Sequence, residues 1–541
     1  PATGSFTIGS LDIGHGLGSG GVADTNSTAV GRLAMDGTTS GAYYNTAIGG
    51  SAFSAATSGD SNTAVGYAAL NLFTGSSATA VGSGAADAAG SQTGLVAIGK
   101  NALGVSTSGN DNTAVGSSAL QTIDGAQNTA VGRTALAADC VSDNVAVGFQ
   151  ALTAFTGNYG TAVGSSAAAS LTGASSPNGA RMTAIGYHAA YTAVNQADCT
   201  AVGYGALDAA SSGNNNTAVG SYSLSTTIDG ANNTSVGVSA LNADCANDNT
   251  AVGKSALTVF TGSDATAVGS GAADAATSAA NLTAVGKDCF GSLVGQGHNT
   301  GLGAFTGLST IGTENTFLGS QAGYYAGDVD HCVAIGVNAL LGATFNDVTQ
   351  AGDITSGSTI TMNGPETGIL VGQRVSGGGI ASGSYITTVA SASADPQVFV
   401  LNQAVASTVA GGTTLTFYKN SGDYNIAIGN YAMDATTTAK DNVAVGYGTL
   451  TNNLTGSYQV VIGMEAGQDV TGPYNTLIGR RAGFDATTIE HCVAIGFDAL
   501  RGDGSTAVTG NYNVAIGSYA LDAVTLGYSN VATGHQAGTN L

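Results

Sequence analysis

Apolar and polar positions along this chain repeat a short burst, in its fullest form Asn-Thr-Ala-Val-Gly, then two variable residues and Ala-Leu. Counting from the anchoring glycine, Asn stands at −4, Thr, Val or Ile at −3, Ala at −2, Val or Ile at −1 and Leu at +4. The burst recurs 26 times, with 19 units from Gly31 to Gly336 and seven from Gly429 to Gly534, mostly at steps of 16 or 17 residues. A longer echo is superimposed, because Asn112–Gly164 repeats as Asn216–Gly269. Such a period is too short for a helix pair but suits two short strands and two turns, which is one coil of a β-solenoid. The pattern therefore predicts an all-β parallel β-roll with two short strands per 16–17-residue coil.

Alternation within the burst places −3 and −1 on one strand face and −2 on the other. Val145/Val147, Val333/Ile335, Ile426/Ile428 and Val514/Ile516 make the first face β-branched. Burying one such side chain contributes about 1.5–3 kcal/mol, so this reading turns the −3/−1 face into the coil. It leaves Ala at −2 and Gly at 0 outside, as a thin seam against which other copies of the chain pack. Asn at −4 (Asn45, Asn62, Asn112, Asn128, Asn216, Asn249, Asn425, Asn513) fits a turn and can bond along the stack. Where −2 is large (Phe317, Val461, Leu477), +4 is glycine (Gly323, Gly467, Gly483), as if two side chains compete for one fixed volume. Gly303 and Gly534 lose the large +4 residue without that exchange.

Between Gly336 and Gly429 the repeat lapses. Alternating stretches at Ser358–Met362, Ile386–Val389, Val398–Leu401 and Thr413–Phe417, separated by Gly-rich turns, predict a small inserted β-barrel or sandwich. The chain divides into an N-terminal lead-in (1–26), a β-roll array (27–344), the inserted β module (345–420) and a continued array (421–541). An insert that bulges from a shaft is a contact site or a packing collar.

Composition agrees with a thin repeated core. Charged residues make up 9%, glycine numbers 84, and tryptophan is absent. The net charge of −22 repels nucleic acid and acidic lipid. No apolar run reaches the roughly 18 residues of a membrane helix, and Pro1–Ser10 lacks the basic-then-apolar order of a signal peptide. Cys140, Cys199, Cys245, Cys289, Cys332 and Cys492 are far apart, with no Cys-x-x-Cys pair, so no disulfide framework or zinc ribbon is read from them.

The units Asn112–Gly116 and Asn513–Gly517 resemble the head repeats of YadA-like trimeric adhesins. Asn315–Gly323 is similar to the repeat arrays of phage tail fibres, and Gly368–Ile380 to a module of phage structural proteins. The resemblance implies a homotrimer of parallel rolls, and either a virion tail fibre or appendage or, alternatively, a bacterial surface adhesin. A glycan-degrading spike is a third possibility for such fibres.

Chemical motifs are weak. Gly253-Lys254-Ser255 lacks the upstream glycine of a phosphate loop, since Asp248 stands there. Gly16-x-Gly18-x-x-Gly21 has dinucleotide spacing but neither the strand before it nor the helix after it. His331-Cys332 and His491-Cys492 are the best metal candidates, through convergence of copies about a three-fold axis, although Cys199, Cys332 and Cys492 stand in the Asn slot. Asp124-Gly125 and Asp229-Gly230 lack the dense acids of a calcium roll. The six histidines (His15, His188, His298, His331, His491, His535) do not gather with a nucleophile and an acid. No catalytic, cofactor or metal residue is assigned. The expectation is a non-enzymatic structural fibre at a virion or, alternatively, a bacterial surface. Its partners are its own copies, other virion proteins and a host receptor or glycan, without nucleic acid or membrane insertion.

Overall fold

A computed structural model describes residues 26–342 and 422–539, apart from 38–41, 56–57, 107, 173–180, 194–195, 210–211, 294–296, 311, 328, 503–507 and 525. It also describes the backbone of two strands before residue 26 and of six strands between 350 and 417. Two compact units, residues 1–261 and 262–541, are described in turn.

The chain is a parallel β-solenoid, and each of the 26 anchoring glycines follows a three-residue strand at −3 to −1. In the first unit these strands run from Thr28–Val30 to Thr250–Val252, and each pairs in parallel with the next. Register is strict: Thr113 pairs with Thr129, Ala114 with Ala130 and Val115 with Val131. At the start of the array, Phe6–Ile8 and Leu11–Gly14 form an antiparallel hairpin, and the latter pairs with Thr28–Val30. That hairpin covers an otherwise open edge strand. In the second unit the ladder runs from Thr266–Val268 to Val531–Thr533.

The strand faces are the reverse of the sequence expectation. Ala at −2 is inside: Ala47, Ala97, Ala114, Ala146 and Ala184 are all fully buried. Residues at −1 point out, with Ile98 40% and Ile185 41% exposed. The reason is width. Leu at +4 crosses from the opposite wall to meet the strand, as the full burial of Leu70, Leu103 and Leu120 shows, so the strand wall has room only for a methyl group. A second interior column at +7, with Phe73, Ile123, Phe155 and Phe260, completes the filling.

Volume exchange between −2 and +4 is real. A Cβ at Gly323 would lie 2.5 Å from the Phe317 ring, and one at Gly483 would lie 2.9 Å from Leu477. The exception at Gly303 is resolved by its neighbours. Phe290 from the preceding coil occupies the space of both Gly301 and Gly307, 2.6 and 2.3 Å from their hypothetical Cβ atoms.

The anchoring glycines serve a close approach within the chain. Gly116 has φ 137°, and a Cβ there would sit 2.5 Å from the carbonyl oxygen of Gly132 in the next coil. Both the backbone angle and the contact exclude a side chain.

Among the described residues, the second strand of each predicted coil is present only at Ala88–Ala89, Val105–Ser106 and Thr122–Ile123, which pair in parallel. Elsewhere among the described residues that wall is turn. Left-handed backbone at +2, +4 and −5 breaks strand geometry, as at Ser118 (φ 55°), Leu120 (48°) and Asp111 (60°). Inter-coil hydrogen bonds persist through these turns: Ser118 N–H donates to Lys100 O, and Leu120 N–H to Ala135 O. A left-handed Leu costs about 1–2 kcal/mol. Its burial contributes about 1.5–3 kcal/mol, and its amide is satisfied, so packing prevails.

The buried Asn column is a ladder. Asn128 Oδ1 accepts from the Asn144 amide at 3.0 Å, and its Nδ2 donates to Val141 O at 3.0 Å. Cysteine substitutes in kind: the Asn216 amide donates to Cys199 Sγ, and that of Asn425 to Cys332 Sγ, each at 3.4 Å.

Within the interruption, Gln350–Ile354, Gly357–Met362, Val375–Ser376, Ile386–Val389, Gln397–Val405 and Thr414–Phe417 pair antiparallel. The array continues across it in register, with Val333–Ile335 paired directly to Ile426–Ile428.

Candidate functional site: the outer wall

Outward Val and Ile at −1 form a column along each ladder. In the first unit it includes Ile48, Ile98, Val131, Val163, Ile185 and Val236, all more than a third exposed. In the second, Leu318, Ile462, Ile495 and Ile516 continue the type. Thr stands beside them at 17 of the 26 −3 positions, and Val or Ile at the other nine, so on the outer wall an apolar −1 column runs beside a column of mostly hydroxyl-bearing side chains. Single exposed apolar residues are ordinary, but a contiguous strip marks an interaction surface.

A second outer column, at −5, carries aromatic rings. Tyr458, Tyr474, His491 and Tyr512 stack with centroids 5.1, 4.8 and 5.2 Å apart and planes within 8°. His331 stacks on Tyr424 at 4.9 Å and pairs with Glu314 at 2.8 Å. Near the +1 corner, Tyr204, Tyr187, His188 and Tyr191 form another run of nearly parallel rings, with Tyr222 edge-on to Tyr204. These rings present their edges to solvent and spend their faces on one another.

Within one chain the two members of each candidate metal pair point apart. His331 and His491 lie in the exposed −5 column, whereas Cys332 and Cys492 point into the coil. Cys332 Sγ lies 3.4 Å from the carbonyl oxygens of Asp330 and Gly422, and burial pushes its thiol up to about 12. Cys140 and Cys289 are likewise raised to about 12, and Cys199 to about 11, by burial. A thiol held protonated is a poor ligand and a poor nucleophile. Among the described residues no group of three or more His, Cys, Asp or Glu could hold a metal ion.

Gly253-Lys254-Ser255 is an ordinary coil corner, with the Gly253 amide donating to Val236 O at 2.8 Å. Asp124-Gly125 and Asp229-Gly230 are turns tied to adjacent coils: Ser108 Oγ donates to Asp124 O, and Ser212 Oγ to Asp229 Oδ1. Gly16-x-Gly18-x-x-Gly21 and His15 lie outside the described residues. No helix among the described residues is long and apolar enough to cross a membrane.

Sequence reasoning missed the outer Val/Ile strip, because it assigned that face to the interior, and it missed the aromatic column. The latter had a signal at −5, one position before the slot that Asn usually fills, where Tyr44, Tyr159, Tyr424, Tyr458, Tyr474 and Tyr512 recur. Comparison with known protein families and with characterised proteins gives no match to this chain.

Proposed function

We propose that the chain is a non-enzymatic structural fibre subunit of a virion, a tail fibre or appendage, which assembles as a homotrimer and presents contacts for host attachment or display. The observation that supports this best is the outer strand face, whose −1 column is a regular apolar strip with no described residue of its own chain over it. Burying such a strip between copies removes it from water at about 25 cal/mol per Å2. Repeat units similar to those of phage tail fibres give the reading its setting. The partners in this reading are the chain's own copies, other virion proteins and a host receptor or glycan. A bacterial trimeric surface adhesin is the second reading, supported by the Asn-x-Ala-x-Gly units.

Sedimentation equilibrium of the purified chain tests the assembly: the expected mass is three times 52.3 kDa. Antibody labelling of particles places the chain on a virion or on a cell envelope. A monomer at micromolar concentration contradicts the proposal.

A further inference from the structure

The aromatic column at −5 of the second unit is interrupted at one coil. Tyr424, Asp441 and Tyr458 take that position in three successive coils: their amides donate to the carbonyl oxygens of Asp330, Asp423 and Lys440 in the coil before, at 3.0, 3.2 and 3.0 Å. Tyr424 spends one ring face on His331, and Tyr458 spends one on Tyr474. Their other faces look toward the Asp441 coil from either side, and neither meets a second described ring of the column. Both tyrosines are 54% exposed, and Asp441 is exposed between them. At about 4.8 Å per coil, the two rings stand roughly 10 Å apart along the column. That interval has the size of one flat ring. Tyr474 and Tyr512, also two coils apart, hold the His491 imidazole between them at 4.8 and 5.2 Å, with planes within 8°.

We infer that Asp441 and the facing rings of Tyr424 and Tyr458 form a binding site for a flat cation, the guanidinium of an arginine side chain on a partner protein. The acid sets the charge. Asp441 forms no ion pair with a described residue, and its neighbour Lys440 is turned to Asp423 at 3.4 Å. Those three groups together leave one negative charge. Glu314, an acid two coils before Tyr424 in the same column, shows what such a carboxylate takes: His331 pairs with it at 2.8 Å while lying on Tyr424. No described ring does the same for Asp441, so a partner supplies the group. The two tyrosine faces set the shape. Guanidinium is planar, stacks on aromatic rings, stays charged at any physiological pH, and offers paired N–H groups to a carboxylate. An ammonium brings the charge without the plane, and a neutral urea brings the plane without the charge. All three groups belong to one chain, so the site does not depend on assembly of copies.

The test is ligand-observed proton NMR of the full chain with N-acetylarginine amide as the probe, beside its lysine and citrulline counterparts. A single exposed side chain held this way binds at about millimolar concentration. Its δ-methylene protons are expected to shift upfield, because they enter between two ring faces. The lysine and citrulline probes bind at least about fivefold more weakly, each lacking one of the two matched properties. Asp441→Asn weakens the arginine probe about fivefold, through loss of the charged partner. Asp441→Tyr abolishes binding, because a ring then fills the interval as His491 fills its own. Tyrosine already occupies −5 in both flanking coils, and far-UV circular dichroism checks that this variant folds. The inference is overturned by a parent that produces no upfield shift, by arginine binding that survives Asp441→Tyr in a folded chain, or by lysine or citrulline binding as well as arginine. If Asp441→Tyr does not fold, the ranking of the three probes on the parent and on Asp441→Asn decides, and an unchanged ranking in the two proteins overturns it.

Discussion

Gly116 shows how one position can be dictated twice, by a φ of 137° and by a carbonyl oxygen 2.5 Å from where a Cβ would stand. Gly116→Ala forces two coils apart, and the expected loss is more than about 4 kcal/mol of local stability, read as lost amide protection in the coils on either side. Asp434 is governed by burial instead, which raises its carboxyl to about 6 from 3.8. The folded chain then holds this proton more tightly than the unfolded one. The associated stability is complete below about pH 4 and is lost as pH rises through 6. Asp434→Asn should raise the melting temperature at pH 8 and leave it unchanged at pH 4; the same shift at both pH values contradicts the assignment. The glycines were legible from their period alone. Left-handed backbone at Ser118 and Leu120 was not, because neither residue type advertises a positive φ and only packing around the turn imposes it.

At the scale of one coil, the strand at −3 to −1 and the Asn column follow directly from the repeat, while the inside and outside of the strand do not. β-Branched residues were read as core because burial usually rewards them. Here the coil is so thin that the buried Leu120 at +4 leaves the strand wall room only for Ala114, and Val115 on the other face is half-exposed. The exchange of Phe317 for Gly323 was legible because it obeys conservation of volume whichever face is inside. The Asn ladder carries its own prediction. Asn128→Ala leaves the buried Asn144 backbone amide without its acceptor, at about 1–3 kcal/mol, and takes one of two donors from the Val141 carbonyl, which keeps Asn144 Nδ2 at 3.3 Å. Asn128→Cys should cost less, since Cys199 and Cys332 already accept the same amide bond with sulfur. Hydrogen exchange across the neighbouring coils ranks the two, and equal losses contradict the ladder's role.

At the scale of the molecule, a parallel solenoid makes the outer wall of each unit from the same two positions of its coils, so a choice at −1 becomes a property of that unit's whole wall. An assembly surface and an interior make opposite demands on those positions. Ile98→Glu with Val131→Glu distinguishes them, because both side chains are outward in this structure. Sedimentation of this double variant beside the parent is the most direct test of the outer wall as the seam between copies. The account predicts a folded chain of 52.3 kDa where the parent is an oligomer. An unfolded chain would return these residues to the interior, and an unchanged oligomer would show that copies meet elsewhere.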